Sequence, residues 1–346
     1  MKERKRRILQ AITDDYIAYA EPVGSRTLAK KYRLGVSPAT IRNEMADLEE
    51  GGYLRQPHTS AGRIPSDKGY RYYVDVLMIP EVISDEQRNV LRQEILRKQY
   101  AIEEMIRHAS RLLALLTNEI AIVVAPSLSN STFRHIQYIP IDPMSVLVIL
   151  VVDPGFVQNS LVQLGGPISP VELERINHHC NRLMQGICLS DIGQSLVKDL
   201  KQVIEDGALF EATLELVYRG LAKKTTDRAF VEGSVNLLAQ PEFRDVEKLR
   251  VLLEVLENTD VIMDAIGSSS TSGVRAQIGV ENQLDELSDC SIVSTTYSII
   301  YDVVGAIGIL GPTRMDYGKV FATVEYMAEA LSELLSEGPG SGWSVG

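Results

Sequence analysis

The stretch SPATIRNEMADLEE, residues 37–50, decides how the first part of the chain is read. Ser37 is a residue type that caps helix N-termini. Pro38 stands at the first helical position, where its missing N–H costs nothing. Gly51-Gly52 ends the segment. Ile41, Met45 and Leu48 recur at i, i+4 and i+7, which predicts a buried stripe. Ala39, Arg42, Asn43 and Ala46 fall on the opposite side. Small side chains let a helix sit deep in a groove, and Arg and Asn can make bidentate hydrogen bonds to base edges. The acids Glu44, Asp47, Glu49 and Glu50 crowd the C-terminal half.

Working upstream, Lys2 to Ala20 places Ile8, Leu9, Ile12, Tyr16 and Tyr19 on one helical face. Pro22 and Gly24 break the chain. Ser25 is the expected cap of a short helix, SRTLAKKY, and Leu34-Gly35-Val36 forms a tight turn. Helix, short helix, turn and third helix make a helix-turn-helix. An ordinary three-helix bundle with one polar face shares the pattern. Downstream lies HTSAGRIP, residues 58–65, with no apolar periodicity and no acid. Tyr53-Leu54 reads as the start of a strand, and Tyr70 to Val76 as helix or strand. The loop fits a wing: a hairpin tip at which Arg63 enters a minor groove or meets phosphate, with His58, Thr59 and Ser60 adding phosphate hydrogen bonds. Arg55, Lys68 and Arg71 supply further positive charge nearby.

Hydrophobic content of 45% and charged content of 23% over 346 residues describe an ordinary soluble globular protein of two or three domains. No run approaches the length of a membrane span. The basic start MKERKRRILQ lacks the apolar region of a signal peptide. Cys180, Cys188 and Cys290 form no framework, which fits a reducing, cytoplasmic setting. The charge is unevenly spread. Residues 1–78 carry 14 Lys and Arg against 10 Asp and Glu, and the remainder 21 against 36. A basic head on an acidic body implies that only the head meets a polyanion.

The segment VGSRTLAKKYRLGVSPATIRNEMADLEEGGYLRQPHTSAGRIPSDKGYRYYVD, residues 23–75, resembles the N-terminal domain of the HrcA family of bacterial heat-inducible transcription repressors. A second block, VVGAIGILGPTRMDYGKVFATVEYMAEAL, Val303 to Leu331, resembles that family's C-terminal signature. The resemblance implies an α+β multidomain chain. A winged helix-turn-helix would occupy residues 1–80, a discontinuous GAF-like domain residues 84–168 and 261–336, an inserted dimerising domain residues 169–260, and a disordered tail residues 337–346. Candidate DNA contacts from the helices are Ser25, Arg26, Ser37, Ala39, Thr40, Arg42 and Asn43. Those from the loop are His58, Thr59, Ser60 and Arg63. The implied function is repression of heat-shock chaperone operons through an inverted-repeat operator, bound as a homodimer, with activity maintained by the GroE chaperonin. No cofactor, metal or membrane is expected. A rival reading makes the GAF-like body a small-molecule sensor. Another places an enzyme site around Arg314 and Asp316, where no nucleophile–base arrangement accompanies them.

Between the two blocks, Ser84-Asp-Glu-Gln87 is a capping box. A long helix is expected to follow to about Thr117, with apolar residues from Leu91 to Leu116 at a 3–4 spacing. That face either packs on its own domain or meets a second subunit. Strand-like runs follow: AIVVAP, FRHIQYIPI, SVLVILVV and FVQNSLVQL. The clearest helical segments are Glu172–Arg182, Gln194–Ile204 and Val246–Leu256. Strand patterns resume at AQIGV and SIVSTTYSI, and Asp316 is the expected N-cap of a final helix ending near Ser336. Strands, helices, then strands again suggest one α+β domain with an insertion. His178-His179-Cys180 cannot converge on one metal, because neighbours on a helix point about 100° apart. GSSSTSG (267–273) lacks the Lys-Ser/Thr of a phosphate loop and reads as a connector. GAIGILG (305–311) does not match a dinucleotide-binding fingerprint. It reads as a strand whose small residues pack close to a neighbour.

Overall fold

Local rules account for the head. In the computed structural model, which describes residues 1–58, 61–96, 102–125, 132–153, 156–191, 194–221, 229–267, 273–299 and 303–337, helix α1 spans Glu3–Tyr19 and buries Ile8, Leu9 and Ile12. Tyr19, expected on that face, is exposed and instead carries the Lys31 ammonium over its ring at 4.1 Å. Helix α2 spans Ser25–Lys31, and Gly24 rather than Ser25 holds the N-cap position. Helix α3 spans Pro38–Glu50. Its cap is Ser37, whose Oγ accepts from the Thr40 N–H at 3.2 Å. Ile41, Met45 and Leu48 are buried, as their spacing predicts, each contributing about 1.5–3 kcal/mol of apolar burial. Strands β1 (Leu54–Arg55) and β2 (Ile64–Pro65) pair antiparallel. Helix α4 (Asp67–Tyr72) runs into a π-helical turn, Tyr73–Leu77, so the segment from Tyr70 is helical.

In the body, Ser84 and Gln87 exchange backbone and side-chain hydrogen bonds at 2.9 and 3.2 Å, as a capping box requires. Helices α5 (Asp85–Leu96) and α6 (Ile102–Thr117) stand where one long helix is expected, with 97–101 outside the described residues. Strand β3 is Ile120–Val124, β4 Phe133–Asp142, β5 Ser145–Val152 and β6 Phe156–Gln163. Helices α7 (Pro170–Met184), α8 (Gln194–Val203) and α9 (Gly207–Leu221) follow, and then β7, Ala229–Glu232. Helices α10 (Val246–Glu257) and α11 (Thr259–Gly267) lead to β8 (Arg275–Ile278), β9 (Cys290–Ile299), β10 (Val303–Pro312) and α12 (Tyr317–Glu337). Asp316 caps α12, its Oδ1 accepting from the Lys319 N–H at 3.2 Å. Residues 268–272 and 338–346, within the expected connector and tail, lie outside the described residues.

Two sheets result. The larger has the order β7-β3-β10-β9-β8 and is antiparallel throughout. Both of its faces are covered. Ala121, Val123, Ile307 and Ile309 pack with α6 and α12, while Ile120, Ile122 and Val124 pack with α10 and α11. All of β3 is therefore buried. Arg88 and Arg92 pair with Glu329 and Glu333 at 3.7 and 3.3 Å, so α5 also lies against α12, and its apolar face is covered by the chain itself. The glycines of GAIGILG admit neighbours. A Cβ on Gly305 would lie 2.3 Å from the Tyr297 ring, and one on Gly308 would lie 2.6 Å from Ile266 Cδ1.

The smaller sheet, β4-β5-β6, stands apart. Helix α7 guards its β4 edge. Asn181 and Asn177 accept from the Ile136 and Tyr138 N–H groups at 2.9 and 2.8 Å, which blunts an exposed ladder. The division at 169 expected from the sequence therefore falls between this sheet and the helix that covers it. The chain leaves the larger sheet after β3 and rejoins it at β7.

Head and body are joined by specific contacts. Arg71 on α4 donates to Glu281 at 2.8 Å and to the Ala276 carbonyl at 2.6 Å. Asp67 accepts from the Val280 N–H at 3.1 Å. Arg314 donates to the Ile17 carbonyl at 3.3 Å and to Glu242 and Gln240, both at 2.6 Å. Beside this group, burial pushes the Glu119 carboxyl up to about 8, against the pull of Arg314. Arg314 and Asp316, the residues of the expected enzyme rival, thus serve as a brace and a helix cap.

Candidate nucleic-acid interface

The sequence-predicted face of α3 is outside. Ala39, Arg42, Asn43 and Ala46 are all exposed, while the stripe opposite them is buried. Arg42 has no hydrogen bond or ion pair within the described residues. Three of the four acids that crowd the same helix, Glu44, Asp47 and Glu49, are paired with cations. Arg4 and Lys5 of α1 pair with Glu44 and Asp47 at 3.3 and 2.9 Å, and Arg63 pairs with Glu49 at 2.8 Å. The Asp47 carboxylate hydrogen-bonded to it holds the Lys5 ammonium above its usual range. Part of the N-terminal basic run therefore neutralises acids of α3 instead of remaining available to a polyanion.

The loop departs from expectation. Val23, in the turn between α1 and α2, exchanges backbone hydrogen bonds with Arg63 at 2.9 Å in both directions, adding an isolated bridge beside the β1–β2 ribbon. Gly62 makes that approach sterically feasible, since a Cβ there would lie 2.4 Å from the Val23 carbonyl oxygen. Arg63 is thus not at a hairpin tip. Its guanidinium lies against the C-terminal half of α3, and its side chain is 20% exposed. Gln56 closes the loop by donating to the Ala61 carbonyl at 3.0 Å. His58 is exposed, and Thr59 and Ser60 lie outside the described residues.

The remaining candidates divide by burial. Arg26 is exposed and Ser25 is buried. The hydroxyls of Ser37 and Thr40 lie 3.0 Å apart within the cap of α3. Ser25, Arg42, Gln56 and Arg63 border one cleft of about 520 Å³ between α2, α3 and the ribbon. Of the three flanking cations, Arg55 remains exposed. Lys68 donates to the Gly51 carbonyl at 2.8 Å, closing the end of α3, and Arg71 is held by the body. Sequence reasoning missed Glu49, Val23 and Gln56, which shape the loop. The only local signal was the Pro22-Val23-Gly24 break, which is too short to show what it pairs with.

Fold and site together define a class: a small helical head with a net basic sequence, whose third helix turns Arg42 and Asn43 to solvent, docked on a larger acidic α+β body. Comparison with known proteins makes the class specific. The family described as HrcA protein C terminal domain matches residues 103–321. The heat-inducible transcription repressor HrcA of Pelotomaculum thermopropionicum is 43% identical over 337 residues, covering 97% of each chain. That of Carboxydothermus hydrogenoformans is 43% identical over 96% of this chain and 98% of its own. That of Halalkalibacterium halodurans is 39% identical over 97% and 98%. The chain belongs to the HrcA family. A solved structure described as that of a hypothetical protein superposes with a TM-score of 0.69 at 23% identity, over 97% of this chain and 99% of that one, a likeness of fold alone. Among the described residues, no helix is long and apolar enough to cross a membrane.

Proposed function

We propose that this chain is a sequence-specific, DNA-binding repressor of heat-shock chaperone operons, and that its head is a winged helix-turn-helix with α3 as the reading helix. The observation that carries this is the division of α3 into a buried Ile41–Met45–Leu48 stripe and an exposed Ala39–Arg42–Asn43–Ala46 face, with Glu44, Asp47 and Glu49 held by Arg4, Lys5 and Arg63. Arg42 and Asn43 read base edges, while Arg26, Ser37, Thr40 and the loop residues His58, Thr59 and Ser60 position the backbone. Ser25 and Arg63 border the same cleft. Footprinting the purified chain on its own genomic DNA tests the reading. Protection without a palindromic site would overturn it.

An inverted-repeat operator calls for a two-fold dimer. The smaller sheet supports this. Its outer face carries Ile139 and Leu161 on either side of Leu147 in register, and Ile139 and Leu161 are 37% and 63% exposed. A second copy of the chain covers such a face most simply. The sheet topology favours drawing the inserted dimerising unit from β4 to α9, and the GAF-like domain from the larger sheet with its flanking helices. Leu161→Glu then sediments as a monomer. A persisting dimer would move the interface elsewhere. Maintenance of the active form by the GroE chaperonin is what the family resemblance implies, and the leverage of small stability changes on the active fraction supports it. Operator binding recovered after heat treatment, with and without chaperonin and ATP, tests it.

A further inference from the structure

Asn282 is 8% exposed. Its Nδ2 lies 2.9, 3.0 and 2.9 Å from the carbonyl oxygens of Gly279, Leu287 and Cys290 and shares its two hydrogens among them, which sets the orientation of the amide. The other polar atom of that amide, Oδ1, is a buried acceptor with no hydrogen-bond partner among the described residues. Buried polar groups are ordinarily paired, so this acceptor leaves the segment beside the cavity incompletely satisfied. Asn282 lines a cavity of about 210 Å³ between α11 and the segment after β8. Asp264, Gln277 and Gln283 supply its polar wall, and Val261, Ala265 and Leu284 its apolar wall. No lining residue is cationic. Asp285 and Glu286, neighbours of Leu284 in sequence, are exposed. One carboxylate, amides and branched apolar side chains suit a small molecule with a cationic donor head and a short apolar tail.

The same segment holds the head. Ala276, Val280 and Glu281 contact Arg71 and Asp67, and the next residue, Asn282, enters the cavity wall. We infer that this cavity binds a small primary amine, and that occupancy orders residues 279–287 and so tightens their hold on the head. The consequence for DNA rests on the head being the DNA-binding part; binding itself does not. A ligand bridging α11 to this segment ties together two elements that otherwise meet across the cavity. It thereby restrains the turn from which Val280 donates to Asp67.

The test uses the full chain, without DNA. Isoamylamine is titrated by calorimetry beside isoamyl alcohol and isovalerate, which keep the tail and change the head. The amine binds saturably, the alcohol at least 10-fold more weakly, and isovalerate not at all. Asp264→Asn, at an exposed position, removes the amine's advantage over the alcohol. Ala265→Leu, whose fold is checked by its melting curve, fills the cavity and weakens both. Hydrogen exchange of the 279–281 amides slows with amine present. Equal binding of all three probes, no saturable binding of the amine, or binding untouched by Ala265→Leu would overturn the site. Saturable binding with unchanged exchange would overturn the coupling to the head. Operator binding by Arg42→Ala reports separately on the repressor reading, so the two can fail independently.

Discussion

Arg42 and Arg63 are both arginines of the head, and both border the cleft between α2, α3 and the ribbon, yet the fold treats them differently. Arg42 projects from α3 into solvent with no partner among the described residues. Arg63 is held by Val23 through its backbone and by Glu49 through its side chain. A cation near a polyanion site is available to it only if no neighbouring acid has claimed the cation first. Residue type and position along the chain suggest the same role for both arginines, and partner geometry separates them.

The harshest test of this difference is Gly62→Ala. A Cβ placed 2.4 Å from the Val23 carbonyl oxygen forces the loop off the head, and overpacking against backbone costs about 3 kcal/mol. Urea unfolding reads the loss. A stability equal to the parent chain would mean the loop is not pinned to Val23, and the contrast with α3 would collapse.

Arg42→Ala comes next. Losing one bidentate base contact costs about 1–3 kcal/mol and relaxes preference at one position of each half-site. A panel of operator variants measures it. A uniform loss across every sequence would place Arg42 on phosphate instead.

Smaller is the effect of Arg63→Ala. A partly exposed ion pair contributes about 0.2–1 kcal/mol, so the expected result is slight destabilisation. The salt dependence of operator binding should fall by less than the roughly 0.9 unit of slope expected for one neutralised phosphate. A full unit would show that Arg63 exchanges Glu49 for phosphate on binding, as the loop sequence alone suggests.

Glu49→Gln is the subtlest. It releases Arg63, and affinity should rise by a few tenths of a kcal/mol, with a steeper salt dependence and unchanged base preference. A titration identical to the parent would show that the freed arginine stays out of reach of the backbone.

What could be read from the chain alone followed the range of the physics involved. Ser37, Ser84, Gln87 and Asp316 act on N–H groups within a few residues, so their caps were legible as residue types at fixed spacing. The burial of Ile41, Met45 and Leu48 was legible because a helix converts spacing into a face. The two central strands show where legibility stopped. IAIVV and SVLVILVV are both continuous apolar runs, yet β3 is buried throughout while burial in β5 alternates along much of its length. Only the topology, with helices on two faces of one sheet and on one face of the other, distinguishes them. The candidate site divides in the same way. The outward face of α3 was visible in the spacing, but the fate of Arg63 and Arg71 was not, since Glu281 lies 210 residues from Arg71.

The amino-acid sequence by itself determined most of the helices and strands, the caps at Ser37, Ser84 and Asp316, the outward face of α3, the uneven charge and the family. Each depends on residue type and short spacing, or on similarity spread along the chain. Tertiary structure alone decided which cations are spent on internal acids, which glycines permit close contact, where the smaller sheet separates from the larger, and how Arg71, Asp67 and Arg314 brace the head on the body. Those outcomes depend on distances of a few ångströms between segments far apart in sequence, and no local pattern encodes them.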